Sequence, residues 1–210
     1  MIVLHHLNNS RSQRILWLLE ELEVPYRVER YQRDAKTNLA PPELRAIHPL
    51  GKSPVIQDGD LVLAESGAIV EYLVERHGNG RLVPPRGTPE HIRYLHWLHF
   101  AEGTIMLHLV GRLYLSRVGE AAKAVQERVE AMIRDELDLV EAELAHGPHL
   151  AGEAFSAADV QMLFPLEFAV YAGLAAERHT RLRDYVTRMQ ARPACQRALA
   201  AGGPYAFAKP

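Results

Sequence analysis

The chain has 210 residues, with 24 basic and 26 acidic side chains and a formal net charge of −2 at pH 7. This length allows one domain or two small ones, each able to bury a substantial apolar core. The near-neutral charge offers no basic surface for nucleic acid. No run approaches the roughly 18 consecutive apolar residues of a membrane-spanning helix. Nucleic-acid and membrane partners are therefore not expected.

Cysteine content and the N-terminus bear on the cellular compartment. Cys195 is the single cysteine, so the chain has no internal disulfide, and no Cys/His cluster with metal-ligand spacing appears. The N-terminus lacks the basic and apolar regions of a secretory signal peptide. These features predict a cytoplasmic protein without a metal site.

The first eighty residues alternate between strand and helix patterns. Ile2 to Leu4 is a short apolar run, and leucines and isoleucine at helical spacing predict an amphipathic helix over residues 12 to 23. Residues 26 to 31 alternate apolar and polar side chains, as a half-buried strand does. The order is that of a β-α-β unit with a parallel strand pair.

A hairpin and a second helix follow. The segments PVIQ and LVLA flank Asp58-Gly59, a strong signal for a tight antiparallel hairpin. The next helix has Ser66 as its candidate N-cap and ends at Gly78. A β-α-β unit followed by β-β-α predicts a mixed sheet covered by helices, which is a thioredoxin-like domain.

The second half shows helical patterns only. A Gly- and Pro-rich stretch, NGRLVPPRGTP, separates the two halves. Helical periodicity then covers residues 90–117, 123–145, 157–174 and 180–191. The predicted fold class is α/β plus all-α: a thioredoxin-like domain at 1–80, a linker at 81–89 and a helical bundle at 90–210.

A serine-rich loop precedes the first predicted helix. Ser10 and Ser12 lie where the partial positive charge of a helix N-terminus accumulates, which lowers the pKa of a thiol, and a hydroxyl can donate a hydrogen bond to a thiolate. The loop holds no cysteine, so any thiolate must come from a ligand. The alternative is structural, with a serine capping the helix and Asn8-Asn9 forming a turn.

Two further segments suggest ligand contacts. A cis bond in Lys52-Ser53-Pro54 would turn the backbone N–H and C=O of Ser53 outward for pairing with a peptide-like ligand, whereas a trans bond would make Pro54 an ordinary strand start. Glu65-Ser66 lies at a helix N-terminus that could hold the carboxylate and ammonium of an amino acid, or could simply be a helix cap.

These three sites are predicted at the same end of one domain, and glutathione offers a sulfur, a peptide backbone and an amino-acid head in that order. With its segments NSRSQR, HPLGKSPV and LAESGAIVEYL, its Pro-rich linker and its helical second half, the chain resembles the glutathione S-transferase family. LAGEAFSAADV resembles the family's local folding motif, with Ser156 and Asp159 at capping-box spacing.

The resemblance implies roles for particular residues. Ser10 matches the catalytic serine that orients and stabilises the glutathione thiolate, with Ser12 as the competing hydroxyl. The remaining glutathione-binding residues implied are Lys52 near the glycyl end, Ser53 at the cysteinyl backbone before a cis Pro54, and Glu65 and Ser66 at the γ-glutamyl group.

The resemblance also implies an activity and an assembly. The expected protein is a cytoplasmic detoxification enzyme, a homodimer that transfers a small electrophile to the sulfur of glutathione as co-substrate. One alternative is a non-enzymatic relative that keeps the fold as an interaction module. A second alternative is a glutathione-dependent isomerase or peroxidase.

Overall fold

The computed structural model describes residues 1–208, and the chain divides into two compact units. One unit contains Met1–Leu82 together with the chain from Met189 onward, and the other is Val83–Arg188. The sequence predicts one helical domain over residues 90–210. The structure groups the chain from Met189 onward with the first unit, because the last helix packs on the first helix of the chain.

The first unit contains a four-stranded mixed sheet in the order β2-β1-β3-β4. Strand β1 is parallel to β2 and antiparallel to β3, and β4 is antiparallel to β3. This topology confirms the predicted thioredoxin-like fold. The elements are β1 (Ile2–Leu7), α1 (Ser12–Leu22), β2 (Tyr26–Tyr31), α2 (Leu44–Ile47), β3 (Val55–Asp58), β4 (Leu61–Ala64) and α3 (Ser66–His77).

Strand β1 is central and almost wholly buried, which suits its apolar start. Leu4 of β1 and Ile56 of β3 are fully buried, as are the apolar side chains of α1, which packs against α3. Helix α1 ends where Glu23 adopts a left-handed conformation, with φ 56°. The hairpin between β3 and β4 turns at Gly59, whose φ of +59° suits glycine.

The C-terminal part of this unit contains helix α9 (Pro193–Gly202), which packs along α1. Ion pairs join the two helices, with Arg192 Nε 2.7 Å from Glu21 Oε1 and Arg197 Nε 2.6 Å from Glu20 Oε2. At the end of α9, a Cβ on Gly202 would lie 2.8 Å from the Gln13 side-chain oxygen. The absence of a side chain at Gly202 therefore allows α9 to approach α1 closely.

The second unit is helical, as predicted. Helix α4 packs on α7, and α5 packs on α6. The elements are α4 (Pro89–Phe100), a π-helical turn (Ala101–Ile105), α5 (Met106–Leu115), a short 3₁₀ helix (Gly119–Ala122), α6 (Lys123–Glu143), α7 (Ala157–Tyr171) and α8 (Thr180–Gln190), which ends just past the boundary of this unit. Across residues 1–208, none of the helices is long and apolar enough to span a membrane.

The predicted capping box organises the start of α7. Ser156 caps the helix, and its backbone N–H donates to Asp159 Oδ2 at 2.8 Å. The other carboxylate oxygen accepts from the Leu150 N–H and from the Tyr185 hydroxyl, each at 2.9 Å. Asp159 is fully buried, so these donors replace water around its charge.

Replacing Asp159 with alanine should destabilise the protein. The change leaves several buried donors without an acceptor, so the free energy of unfolding should fall by at least about 3 kcal/mol. Tyr185→Phe, which removes one of the donors, should cost less. Urea unfolding measures both, with the exposed Asp184→Ala of α8 as the control. A loss in Asp159→Ala no larger than in Asp184→Ala would contradict the structural role.

Candidate functional site

The serine loop places two hydroxyls in contact at the start of α1. Arg11 is the N-cap and Ser12 is the first helical residue. Ser10 Oγ lies 2.7 Å from Ser12 Oγ and accepts the Ser12 backbone N–H at 3.2 Å. The pair therefore lies at the positive end of the α1 dipole, as sequence reasoning predicted.

Behind the serines lies His6, which sequence reasoning did not assign to the site. Its Nδ1 is 2.8 Å from Ser12 Oγ, and the Gly202 backbone lies beside its ring, where a Cβ would be 3.3 Å from His6 Cε1. The ring is 3% exposed, and burial lowers its pKa to about 4, with the Arg30 charge acting in the same direction. His6 is therefore neutral near pH 7.

The second predicted segment lies beside the end of β1. The Ser53-Pro54 bond is cis, as expected from the resemblance. The Ser53 hydroxyl donates to the His5 carbonyl at 2.8 Å and accepts the Leu7 N–H at 3.2 Å. The Leu7 N–H also faces Ser12 Oγ at 3.3 Å. One backbone amide thus joins the serine loop to the segment before β3, and the neighbouring Lys52 is exposed.

The third predicted segment differs from expectation in its capping. Ser66 was predicted to be the N-cap of α3, but Glu65 occupies that position with φ 71° and ψ 116°, and Ser66 is the first helical residue. A non-glycine residue in this region costs of order 1–3 kcal/mol, and such strain clusters at functional sites. Glu65 is exposed, whereas Ser66 is buried.

A buried arginine links the third segment to α1. Arg14 Nη1 donates to Ser66 Oγ at 3.2 Å, and the arginine side chain is almost fully buried. The serine loop, the Ser53 segment and the start of α3 are thus joined through contacts with β1 and α1. The structure brings together most of the predicted residues within the first unit.

Sequence reasoning missed His6 and Gly202 as neighbours of the serines. Strand alternation predicts that His5 and His6 point to opposite faces of the sheet, with one of them packed in the core. In the structure both are buried: His5 hydrogen-bonds Tyr31 and Gln57, while His6 faces Ser12. Nothing in the local pattern shows that α9 reaches His6.

Two family models match the chain. "Glutathione S-transferase, N-terminal domain" matches residues 1–75, and "Glutathione S-transferase, C-terminal domain" matches residues 123–188. Glutathione S-transferase 3 of Schizosaccharomyces pombe is 35% identical over 93% of this chain and 86% of its own length. The chain belongs to the glutathione S-transferase family. This confirms the family named from the sequence motifs.

Solved structures of this family have the same fold. A glutathione S-transferase from Actinobacillus pleuropneumoniae has a TM-score of 0.89 and 32% identity, covering 98% of this chain and 94% of its own. A sphingomonad glutathione S-transferase complexed with glutathione has a TM-score of 0.80 and 25% identity, covering 96% of this chain and 98% of its own.

The described residues contain no metal-binding cluster. Across residues 1–208, no group of three or more His, Cys, Asp or Glu side chains could hold a metal ion.

The lowered pKa of His6 predicts a pH dependence of stability. Because the folded state resists protonation, the unfolded chain binds more protons below pH 6.5, so stability is lost as pH falls from there toward about 4. Between about pH 7 and pH 5, His6 should account for a loss of about 2 kcal/mol.

Urea unfolding of the wild type and His6→Asn at both pH values isolates this contribution, because the variant cannot be protonated there. His99→Asn, at an exposed position on α4, is the matched control. Equal losses in the wild type and His6→Asn would show that His6 is not held neutral by the fold.

Proposed function

We propose that this protein is a serine-type glutathione transferase, in which Ser10 stabilises the glutathione thiolate for attack on a small electrophile. The observation that carries the proposal is the contacting hydroxyl pair at the N-terminus of α1, with Ser10 as the outer member. Family membership supports glutathione as the co-substrate, and a glutathione-bound relative shares the fold.

The geometry favours Ser10 over Ser12 as the donor to sulfur. Ser12 is fully buried, and its hydroxyl faces His6 Nδ1 at 2.8 Å on the inner side. Ser10 is also buried but retains 5% exposure, and the Ser12 N–H donates to its oxygen. A ligand sulfur would therefore meet the Ser10 hydroxyl first.

The other predicted residues provide the remaining parts of a glutathione site. The Ser53 side chain is fixed to β1 by hydrogen bonds, which supports a role for its backbone in pairing with the cysteinyl residue of glutathione. The exposed Lys52 would approach the glycyl carboxylate. Glu65 would receive the γ-glutamyl ammonium, and Ser66, at the first turn of α3, would receive its carboxylate.

The protein's contribution to the reaction would be a larger thiolate population and correct positioning. The Ser10 hydroxyl and the α1 dipole both favour the anionic sulfur, which lowers the thiol pKa. In a displacement, the sulfur forms a bond to an electrophilic carbon while the leaving group departs with its electron pair. Holding the two reactants together supplies much of the rate gain.

The proposal includes the cellular location, the assembly and the domain boundary. The family resemblance implies a cytoplasmic homodimer that acts in detoxification. The Gly- and Pro-rich segment at residues 81–89 is proposed as the linker between the two domains. The polar residues of the site favour an enzyme over a non-enzymatic module, since an interaction module has no need of a thiolate donor.

Ser10→Ala should reduce conjugation while leaving glutathione binding largely intact. Losing one hydrogen bond to a charged sulfur should lower kcat/KM by roughly ten- to a hundredfold. The dissociation constant for glutathione should change little, because the Ser53 and Glu65-Ser66 contacts remain. Conjugation of an aryl halide and calorimetric titration measure the two effects.

Ser12→Ala and the exposed Ser116→Ala accompany that experiment. Ser10→Ala is expected to lose more activity than either. A larger loss in Ser12→Ala would transfer the donor role to Ser12. Turnover of a peroxide but not of an aryl halide by the wild type would identify the peroxidase alternative.

The double variant Glu65→Ala/Ser66→Ala should bind glutathione at least about tenfold more weakly, because it loses the charged and hydrogen-bonding contacts to the γ-glutamyl group. Calorimetric titration measures the affinity, with Glu71→Ala on the exposed face of α3 as the control. Unchanged affinity would place the γ-glutamyl group elsewhere. Absence of binding by the wild type would favour the interaction module.

A further inference from the structure

Three buried side chains form a continuous hydrogen-bonded series, here called the serine-histidine chain: Ser10, Ser12 and His6. The contacts are 2.7 Å between the two hydroxyl oxygens and 2.8 Å between Ser12 Oγ and His6 Nδ1. Each of the three is at least 95% buried. Water therefore has little access to these groups. Their hydroxyl and ring protons are instead donated to neighbouring protein atoms.

The direction of donation along the serine-histidine chain follows from the inner end. The Gly202 backbone lies beside the ring, where a Cβ would be 3.3 Å from His6 Cε1, and it favours the protonated ring, as a carbonyl acceptor does. Because Nδ1 faces Ser12, we assign the ring N–H to Nε2. A neutral ring has one N–H, so Nδ1 is left as an acceptor, and the Ser12 hydroxyl donates to it.

The second acceptor near Ser12 is weaker. The Leu7 carbonyl lies 3.3 Å from Ser12 Oγ, compared with 2.8 Å for His6 Nδ1. A hydroxyl has one proton, so when the Ser12 hydroxyl donates to His6 it cannot also donate to Ser10. Ser12 Oγ is then an acceptor at 2.7 Å for the Ser10 proton. In the absence of ligand, that proton points inward.

We propose that His6 is a positioning residue that sets this inward direction, so that a bound sulfur must compete with Ser12 for the proton of Ser10. The proposal rests on the proposed role of Ser10 as the thiolate donor. An anionic thiolate is a stronger acceptor than a neutral hydroxyl and would draw the proton outward. A thioether product is a weak acceptor, so the proton would return to Ser12.

The surroundings of His6 keep it in this role. Arg30 on β2 is the charged group whose field acts against protonation of the ring. Ser12 of α1 contacts Nδ1, and the Gly202 backbone of α9 lies beside the ring. A Cβ on Gly202 would lie 3.3 Å from His6 Cε1, closer than most such contacts. Glycine at this position lets the end of α9 approach the ring.

The pKa of the thiol in bound glutathione tests the proposal. Ultraviolet absorbance of the thiolate is followed against pH with the full-length protein saturated by glutathione. In His6→Leu the stronger acceptor is lost and only the Leu7 carbonyl at 3.3 Å remains on the inner side, so Ser12 should donate more often to Ser10 and the Ser10 proton should point more often to the sulfur. The thiol pKa should then fall by about half to one unit, a roughly three- to tenfold gain in thiolate below that pKa.

Two further variants make the test independent of one substitution. Ser12→Ala removes the acceptor that competes with the sulfur, without altering His6, and should also lower the thiol pKa. If His6→Leu does not fold, the thiol pKa measured in Ser12→Ala tests the direction of the Ser10 proton. His6→Asn can place an amide oxygen near the position of Nδ1 and should keep the wild-type value. His5→Leu, on the same strand with its side chain bonded to Tyr31 and Gln57, is the matched control.

The outcomes separate this proposal from the one on which it rests. If the thiol pKa is raised or unchanged in both folded His6→Leu and Ser12→Ala, the Ser10 proton does not point inward and the role of His6 is overturned. A raised thiol pKa in Ser10→Ala in the same experiment would still leave Ser10 as the thiolate donor. An unchanged value in Ser10→Ala would overturn both proposals. A shift in His5→Leu equal to that in His6→Leu would show a general effect of strand packing and would also overturn the role of His6.

Discussion

The hydrogen bond between Ser12 and His6 joins the start of α1 to the buried end of β1, and the candidate site is arranged around it. The Leu7 N–H lies within hydrogen-bonding distance of both Ser12 Oγ and Ser53 Oγ. These contacts fix the serine loop and the segment before β3 to the same point of the backbone. Without them, the two segments would be linked only through the sheet, and their polar groups would lack partners in a nearly dry environment.

The end of the chain contributes to this arrangement from a long distance in sequence. Helix α9 lies along α1, held by arginine-glutamate pairs at its sides and by the close approach at Gly202. The pairs are partly exposed, so they orient the helix more than they stabilise it. The close approach matters more for the site, because it places the Gly202 backbone beside the His6 ring. The protonation state of a buried side chain on the first strand is thereby linked to the last helix.

The parts of the structure that local patterns dictate were predictable. The alternation in YRVERY, the turn after Asp58 and the spacing of leucines in α1 correspond to β2, the β3-β4 hairpin and α1 within a residue or so. The failures have a physical reason. Capping by Glu65 depends on a positive φ of 71° that glutamate does not favour by itself. Helix α9 is short and alanine-rich, and its place is decided by packing on α1. Neither fact is encoded within a short window of sequence.

The candidate site is also where local preference and final structure disagree most. Glu65 is strained, His6 is neutral in a buried position, and two serine hydroxyls face each other away from solvent. Each of these costs free energy that the surrounding sheet and helices must offset, and natural proteins tolerate such conflicts chiefly where function requires them. The thiolate of the proposed function would give these features a common purpose, because it needs a donor, a positive helix end and a site held rigid before the ligand arrives. On that proposal, Glu65, His6 and the two serines belong to one preorganised site for an anionic sulfur and the peptide that carries it.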